Sequence, residues 1–177
     1  TLKKPIYKAV TAAPCSGVLD SKHLVWISLS SLGSWEELAH KVDTDYDKVI
    51  SQPLPKLFSD IAKATEEAKG DKDRIDTVTS LLSEKIQYMG DWRAIKGRFI
   101  PRDLNEIAST GVGDCKDFTA ATIAILRSIG YKADPALVLR GQYEKPLNIL
   151  PGINNFNHVI VKVITNEGKV YWIDPTN

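Results

Sequence analysis

The stretch Gly113-Asp114-Cys115-Lys116-Asp117 opens a long apolar run, and this stretch decides the fold. Asp114 is a favourable N-cap residue, and Asp117 adds a carboxylate to the first turn, so the pattern predicts a helix that begins at Cys115. Apolar residues then occupy nearly every side of the predicted helix, which is typical of a helix in the middle of a domain. Gly130 is expected to end it.

Cys115 is a candidate nucleophile because of its position at the start of this helix. A helix N-terminus carries unpaired backbone N–H groups and the positive end of the helix dipole. Both favour the thiolate, which is the nucleophilic form of cysteine. The alternative is a buried structural thiol, since free cysteine is among the most buried residue types. The other cysteine, Cys15, lies in a turn-like stretch without a basic neighbour, and we interpret it as a bystander.

His158 opens a valine-rich strand, and Asp174 ends the next strand. The turn Asn166-Glu167-Gly168 suits a three-residue hairpin loop with glycine in the left-handed position, and this register puts Ile160 opposite Asp174. His158 and Asp174 are then diagonal neighbours on one face, about 7–8 Å apart at the backbone and within reach of each other's side chains. A two-residue loop would put them on opposite faces. With Cys115, they form a candidate Cys-His-Asp constellation.

Each residue of this constellation has a definite chemical role. Cys115 would attack a carbonyl, His158 would take the thiol proton and later protonate the leaving amine, and Asp174 would orient the imidazole. The backbone N–H of Cys115 is a natural donor to the oxyanion. The sequence does not choose between the candidates for the second donor, which are Trp92, Gln87 and Asn157.

Less specific interpretations remain for the same side chains. A histidine beside a strand is commonly a surface or core residue, and Asp174-Pro175 is also an ordinary strand-ending turn. The three side chains could in principle bind zinc, but no Cys-x-x-Cys or His-Glu-x-x-His pairing favours a metal site. His23 and His40 are interpreted as structural or exposed. We therefore expect no cofactor and no metal.

The composition is that of an ordinary globular protein and excludes several classes. The chain has 177 residues, of which 43% are hydrophobic and 25% charged, enough for one domain or one domain plus a fragment. With 23 basic and 22 acidic side chains, it lacks the electrostatic footprint of a nucleic-acid-binding protein. No apolar stretch is long enough to predict a membrane span.

Residues 1–30 are predicted as a strand segment, the tail of a preceding β domain, because residues 22–30 alternate with a period of two. Residues 31–177 form the predicted core. Ser34-Trp35-Glu36-Glu37 is a capping box that starts a first helix, with Tyr46 on its apolar stripe and Pro53 beyond its end. Three more helices and one strand are predicted at 56–69, 71–89, 102–108 and 131–140.

Taken together, the motifs resemble the transglutaminase-like superfamily. They are Gly113-Asp114-Cys115-Lys116-Asp117, Leu126-Arg127-Ser128-Ile129-Gly130-Tyr131, Asn157-His158-Val159 and Trp172-Ile173-Asp174-Pro175-Thr176. More narrowly, they resemble the bacterial branch in which this core follows an N-terminal β-rich domain of unknown function. The resemblance covers residues 22–177 and is strongest over 86–177.

This resemblance implies an α+β, papain-like fold, in which N-terminal helices and the cysteine helix pack on an antiparallel sheet. It implies Cys115 as nucleophile, His158 as base and Asp174 as orienting acid, with Trp92 or Gln87 as the upstream oxyanion donor. It implies a protein or peptide substrate, and it favours a periplasmic or extracytoplasmic location. Calcium is used by some relatives, but no clustered acidic loop predicts it here. Because family members usually continue beyond this point, we expect a core truncated at its C-terminus.

Three functions fit this resemblance. The first is hydrolysis of a peptide or side-chain amide through an acyl-enzyme, which we favour because water is the default acceptor. The second is protein-glutamine transamidation, in which an amine replaces water; it uses the same residues. The third is a non-catalytic binding or scaffolding module, which has no need of all three polar side chains.

Overall fold

The computed structural model describes residues 29–90, 99–141 and 150–177. Residues 1–28 of the predicted strand segment lie outside these ranges, as do Cys15, His23 and Trp92. Within the ranges, the α+β fold consists of α1 (Trp35–Ile50), α2 (Lys56–Ala64), α3 (Asp71–Lys85), β1 (Gln87–Tyr88), α4 (Leu104–Thr110), β2 (Val112–Gly113), α5 (Cys115–Ser128), β3 (Lys132–Val138), β4 (His158–Ile164) and β5 (Val170–Ile173).

The helix α5 lies at the centre of the described fold, as its all-round apolar sequence predicts. Every residue from Lys116 to Leu126 is buried. One side of α5 packs on the sheet strands β3 and β4, and the other contacts α1, α2 and α3. We call α1, α2 and α3 the helical layer. Phe58 and Leu82 from this layer and Val161 from the sheet are almost wholly excluded from solvent. The predicted arrangement of helices and cysteine helix on an antiparallel sheet is confirmed.

The main sheet is antiparallel and has the order β3-β4-β5. His158 lies opposite Val138 on one neighbouring strand, and Val161 lies opposite Ile173 on the other. The predicted hairpin register is confirmed, because Val161 opposite Ile173 extends to Ile160 opposite Asp174. Gly168 has a φ of 83°, the left-handed conformation that the three-residue loop requires.

The third helix is shorter than predicted. It ends at Lys85 rather than Met89, and Gln87–Tyr88 pairs in parallel with Val112–Gly113. The backbone N–H of Gln87 donates to the carbonyl of Gly111 at 2.8 Å, and that of Met89 donates to the carbonyl of Gly113 at 2.8 Å. These hydrogen bonds replace those of a longer helix, so α3 ends at Lys85. They also join the segment after α3 to the segment before α5.

Two further boundaries differ from prediction for local reasons. The predicted helix 56–69 ends at Ala64 and is followed by a 3₁₀ turn, Thr65–Glu67. The predicted helix 102–108 spans Leu104–Thr110 instead, because Arg102 is held by interactions outside the helix.

The predicted capping box at Ser34 is also only partly formed. The Ser34 hydroxyl accepts a hydrogen bond from the Glu37 N–H at 3.1 Å, whereas the Glu37 carboxylate accepts one from Gly33, at 2.8 Å, one residue before the expected N–H. Within the described ranges, no helix has the combined length and apolar character that crossing a bilayer requires.

Candidate active site

The first turn of α5 is fixed by its own carboxylates. Asp114 Oδ1 accepts from the backbone N–H of Lys116 at 3.2 Å, and Asp114 Oδ2 pairs with the Lys116 ammonium. Asp117 Oδ2 accepts from the backbone N–H of Asp114 at 3.3 Å. Together they form a capping box, which confirms Asp114 as the N-cap and adds a reciprocal bond from Asp117 that was not predicted. Cys115, the first helical residue, is therefore held in a rigid turn and is itself partly exposed.

Asp117 also anchors this turn to the preceding chain. Its Oδ2 accepts hydrogen bonds from Arg102 Nε at 3.0 Å and from Arg102 Nη2 at 2.9 Å. Its Oδ1 accepts a hydrogen bond from the Arg102 backbone N–H at 2.9 Å. Arg102 Nη2 additionally donates to the Val112 carbonyl at 2.5 Å. Such a contact, in which two guanidinium nitrogens donate to one carboxylate, fixes the relative orientation of the two groups as well as pairing their charges. From the sequence, Asp117 is predicted only to interact with the helix dipole, because nothing local identifies Arg102 as its partner.

The thiol of Cys115 does not have the lowered pKa that its helix position suggests. Burial raises the pKa of Cys115 above its usual value, and the Asp114 carboxylate raises it further. The Lys116 charge and hydrogen bonding from the backbone of Val159 and Lys116 act in the opposite direction, but they do not outweigh burial. The prediction of a favoured thiolate is therefore wrong for the protein at rest. The thiol needs a base to become a nucleophile.

His158 lies at the start of β4 and lines the same cavity as Cys115. Its side chain is buried, and its Nε2 lies 2.8 Å from Asp174 Oδ2. Thr119, about one turn after Cys115, donates its hydroxyl to the Val159 carbonyl at 3.3 Å and so joins α5 to β4 at this point. Because Asp174 engages Nε2, Nδ1 is the imidazole nitrogen left to exchange a proton with another group.

Asp174 is held by residues that follow it in the chain. Its Oδ1 accepts from the Thr176 hydroxyl at 2.6 Å and the Thr176 N–H at 3.1 Å, and Oδ2 accepts from Asn177 Nδ2 at 3.1 Å. Burial alone would raise the pKa of Asp174, but the hydrogen bonds from Thr176 and His158 outweigh burial, and the pKa is lowered. Asp174 is therefore ionised at neutral pH. The support from Thr176 and Asn177 was not predicted, although Asp-x-Thr is a pattern for such a turn.

Cys115 and His158 line one narrow cavity. Its volume is about 20 Å³, which is space for about one water molecule. Further side chains on its wall come from α1, from β1 and from the loops that flank the site; they include Tyr46, Tyr88, Phe99 and Asn157. The described residues therefore enclose the sulfur and the imidazole in a small, largely apolar space.

A sequence profile of the transglutaminase-like superfamily matches residues 59–175. This chain belongs to that superfamily. The matched range contains Cys115, His158 and Asp174, whereas the helix α1 precedes it.

A solved structure from Parabacteroides distasonis, described as a "putative protease", has the same transglutaminase-like fold. The TM-score is 0.60 at 12% sequence identity, and the alignment covers 80% of this chain but 26% of that chain. At this identity, the likeness concerns the fold alone. The sequence has no significant match among curated proteins.

The predicted candidates for the second oxyanion donor of this transglutaminase-like site differ in their positions. Asn157 lines the cavity, but its Oδ1 accepts from the Arg140 N–H at 2.6 Å and its Nδ2 donates to the Arg140 carbonyl at 2.9 Å. Gln87 is exposed on β1 and is not among the described residues on the cavity wall. Trp92 lies outside the described residues.

One cavity residue that sequence reasoning missed is Tyr46. The sequence predicts it only as part of the apolar stripe of α1, which is correct for its ring but gives no role to its hydroxyl. Over the parts of the chain that the structure describes, no group of three or more histidine, cysteine, aspartate or glutamate side chains is arranged to hold a metal ion.

Proposed function

We propose that this protein catalyses thiol-dependent acyl transfer on a peptide or side-chain amide, with water as the usual acceptor. Cys115 is the proposed nucleophile, His158 the base and Asp174 the orienting acid. The observation that carries the proposal is the 2.8 Å contact of His158 Nε2 with Asp174, made beside a cavity that Cys115 and His158 share. Membership of the transglutaminase-like superfamily and a neighbour of the same fold named as a protease support it.

In the first half-reaction, Nδ1 of His158 takes the thiol proton while sulfur forms a bond to the substrate carbonyl carbon. The carbonyl electrons move to oxygen, where the backbone N–H of Cys115 can donate to the developing charge. The tetrahedral intermediate then expels the amine, which receives the proton from His158. In the second, water gives its proton to His158, attacks the thioester and releases the acid and the regenerated thiol.

This general-base route fits the raised pKa of Cys115, because the proton leaves only as the carbon–sulfur bond forms. Asp174 contributes by holding the imidazole with Nε2 turned away from the sulfur and by stabilising the imidazolium that forms. The proposed reaction therefore does not need a standing thiolate in the substrate-free protein.

Acylation by p-nitrophenyl acetate tests the nucleophile. In a Cys15→Ser background, Cys115 is the one remaining thiol, and the tryptic peptide that contains it should gain an acetyl group faster than any lysine-containing peptide, as mass spectrometry can determine. Cys115→Ala should abolish acylation while leaving the thermal transition almost unchanged. If the wild-type protein is not acylated, the non-catalytic module is the better interpretation. A large loss of stability in Cys115→Ala would instead favour a structural thiol.

The acceptor is tested separately with a glutamine-containing peptide and a fluorescent primary amine. Hydrolysis predicts release of ammonia or peptide cleavage without fluorescent product, all of it dependent on Cys115. Incorporation of the amine into the peptide would contradict a hydrolase-only function and support transamidation.

A further inference from the structure

Tyr46 carries a buried hydroxyl for which the described part of the fold supplies no hydrogen-bond partner. The residue lies near the C-terminal end of α1 and is 1% exposed, and its hydroxyl makes no hydrogen bond within the part of the chain that the structure describes. Buried tyrosine hydroxyls usually find a partner, and leaving one unsatisfied costs about 1–3 kcal/mol. A group of this kind points to a partner that arrives from outside.

The hydroxyl belongs to the cavity of the proposed nucleophile. Tyr46 lines this cavity together with Cys115 and His158. Burial raises the pKa of Tyr46 well above its usual value; repulsion from the Asp114 and Asp117 carboxylates, and from Cys115 whenever it ionises, raises it further. The phenol is therefore a neutral donor under all conditions in which the protein would act, and it lies close to the N-terminus of α5.

We propose that the Tyr46 hydroxyl donates a hydrogen bond to the substrate oxygen as that oxygen becomes an oxyanion on Cys115, beside the backbone N–H of Cys115. This inference rests on the proposed function. No bond to the protein has to be broken before the hydroxyl can serve the substrate. Its hydrogen bond strengthens as negative charge develops, so it lowers the barrier rather than simply tightening substrate binding.

The other described groups fit this role less well. Both ends of the Asn157 amide are engaged by the Arg140 backbone, and Gln87 is exposed and is not among the described residues that line the cavity. Tyr88 lines the cavity but is 47% exposed, so water competes for its hydroxyl. Tyr46 is also well anchored, since the adjacent Asp47 pairs with Arg127 of α5 at 2.7 Å.

Tyr46 precedes residue 59, where the superfamily match begins. The inferred donor therefore comes from a helix that precedes the matched core in the chain, and it lines the same cavity as Cys115 and His158. This chain would assemble its oxyanion site from α1 and α5 together.

The variant Tyr46→Phe tests the inference, in the Cys15→Ser background. It removes only the oxygen. Acylation of Cys115 by p-nitrophenyl acetate should fall about 10²-fold, mainly in kcat rather than KM, which is the usual effect of deleting one oxyanion donor. Alkylation of Cys115 by iodoacetamide should change less than about twofold, because displacement at an sp³ carbon creates no oxyanion. The thermal transition should stay level or rise, since an unsatisfied buried hydroxyl has been removed.

Thr122 provides a matched control. Its hydroxyl is the other buried side-chain group without a hydrogen-bond partner in the described residues, and Thr122 lies on α5 away from the cavity wall. Thr122→Val should leave both the acylation and the alkylation of Cys115 at wild-type rates. A fall in acylation there would mean that removing any buried hydroxyl disturbs the site, and it would overturn the inference.

The remaining outcomes separate this inference from the proposed function. Equal acylation of the wild-type protein and Tyr46→Phe would overturn the role of Tyr46 alone. A parallel fall in alkylation would also overturn it, since Tyr46 would then act by positioning Cys115. Absence of acylation in the wild-type protein would overturn the proposed function, and this inference with it.

If Tyr46→Phe does not fold, 3-fluorotyrosine at position 46 keeps the hydroxyl and makes it a stronger donor. It should raise the ratio of acylation to alkylation, and an unchanged ratio would contradict the inference.

Discussion

The pKa of Cys115 depends on opposing effects: the helix terminus lowers it, whereas burial and a neighbouring carboxylate raise it. The helix terminus favours the thiolate, but its contribution is typically 0.3–1 kcal/mol at exposed sites. Partial desolvation and the neighbouring Asp114 carboxylate together prevail, and the thiol keeps its proton. Under the proposed function, the imidazole of His158 must therefore be correctly turned at the moment of attack, and its orientation depends on Asp174.

Asp174→Asn is predicted to flatten the dependence of stability on pH. The pKa of Asp174 is lowered in the folded protein, so its carboxylate stabilises the fold above its unfolded pKa of about 3.9. This contribution is lost as the pH falls through the lowered folded pKa. Without it, the free energy of unfolding should change less between about pH 5 and pH 2, as urea denaturation at a series of pH values can measure.

Thr176→Val provides an intermediate case, because it removes the 2.6 Å hydroxyl bond to Asp174 and leaves the backbone N–H bond. Its pH dependence should lie between those of the wild-type protein and Asp174→Asn. A slope in Asp174→Asn as steep as in the wild-type protein would mean that other carboxylates dominate acid unfolding.

The individual site positions differ in how far the sequence could predict them. Contact between His158 and Asp174 followed from hairpin register, which a single glycine turn largely determines. The burial of Tyr46 followed from helical periodicity. The absence of a partner for its hydroxyl among the described residues could not be predicted in this way. It depends on how α1 packs against α5, about 70 residues further along the chain, and no local pattern encodes such packing. The pKa of Cys115 required the same missing information about burial.

At the scale of elements, the short parallel pair β1–β2 connects the end of α3 to the start of α5. Gly113 lies where these segments converge. A Cβ atom at this position would lie 3.0 Å from the Asp117 Cβ, and 3.5 Å from both the Ile86 Cγ2 and the Phe118 ring. The missing side chain therefore permits the close approach that delivers Cys115 to the cavity.

Gly113→Ala is predicted to destabilise the protein by about 1–3 kcal/mol, because an extra methyl in a tightly packed site forces backbone or side-chain shifts. Acylation of Cys115 should also slow, since Gly113 is two residues before the sulfur. Denaturant unfolding and the acetyl-ester assay measure the two effects.

Gly33→Ala is the matched control. An added Cβ there would meet only the flexible end of Glu37, at 3.5 Å, and both quantities should stay near wild type. Equal effects of the two substitutions would contradict the packing argument.

The long elements were predictable because each has a sustained period. The apolar run of α5 and the capping by Asp114 determine its start, and the alternation in β4 determines its buried face. The two-residue strands β1 and β2 have no period to detect. Helical spacing continues through Ile86 and therefore predicts a helix up to Met89, whereas long-range hydrogen bonds with Gly111 and Gly113 hold residues 87–89 in an extended conformation.

At the scale of the whole molecule, α5 joins a helical layer to the antiparallel sheet, and Arg127 connects three parts of the fold. Its Nη1 donates to Asp47 of α1 at 2.7 Å, its Nη2 to Asp134 of β3 at 2.9 Å, and its Nε to the Ala133 carbonyl at 2.8 Å. The side chain thus holds the helical layer, the central helix and the sheet in one arrangement.

Arg127→Lys is predicted to lower the free energy of unfolding by about 1–2 kcal/mol, although the charge is conserved. A lysine cannot reproduce the planar fork that reaches three acceptors at once. Because Asp47 follows Tyr46, the acylation rate should fall as well. Urea denaturation and the acylation assay measure these changes.

Lys56→Arg, in an exposed pair with Asp60, should leave both quantities unchanged. Wild-type stability in Arg127→Lys would mean that the three contacts contribute no more than an ordinary surface charge pair.

The size of the cavity beside Cys115 has a kinetic consequence under the proposed reaction. Within the described walls, a space of about 20 Å³ has room for about one water molecule, so we expect the departing amine and the incoming acceptor to occupy it in turn. The first product must leave before deacylation begins, which imposes double-displacement, or ping-pong, kinetics. Water and an added amine would then compete for one vacated position, so raising the amine concentration should divert the acyl group without changing the rate at which the first product appears in the first turnover.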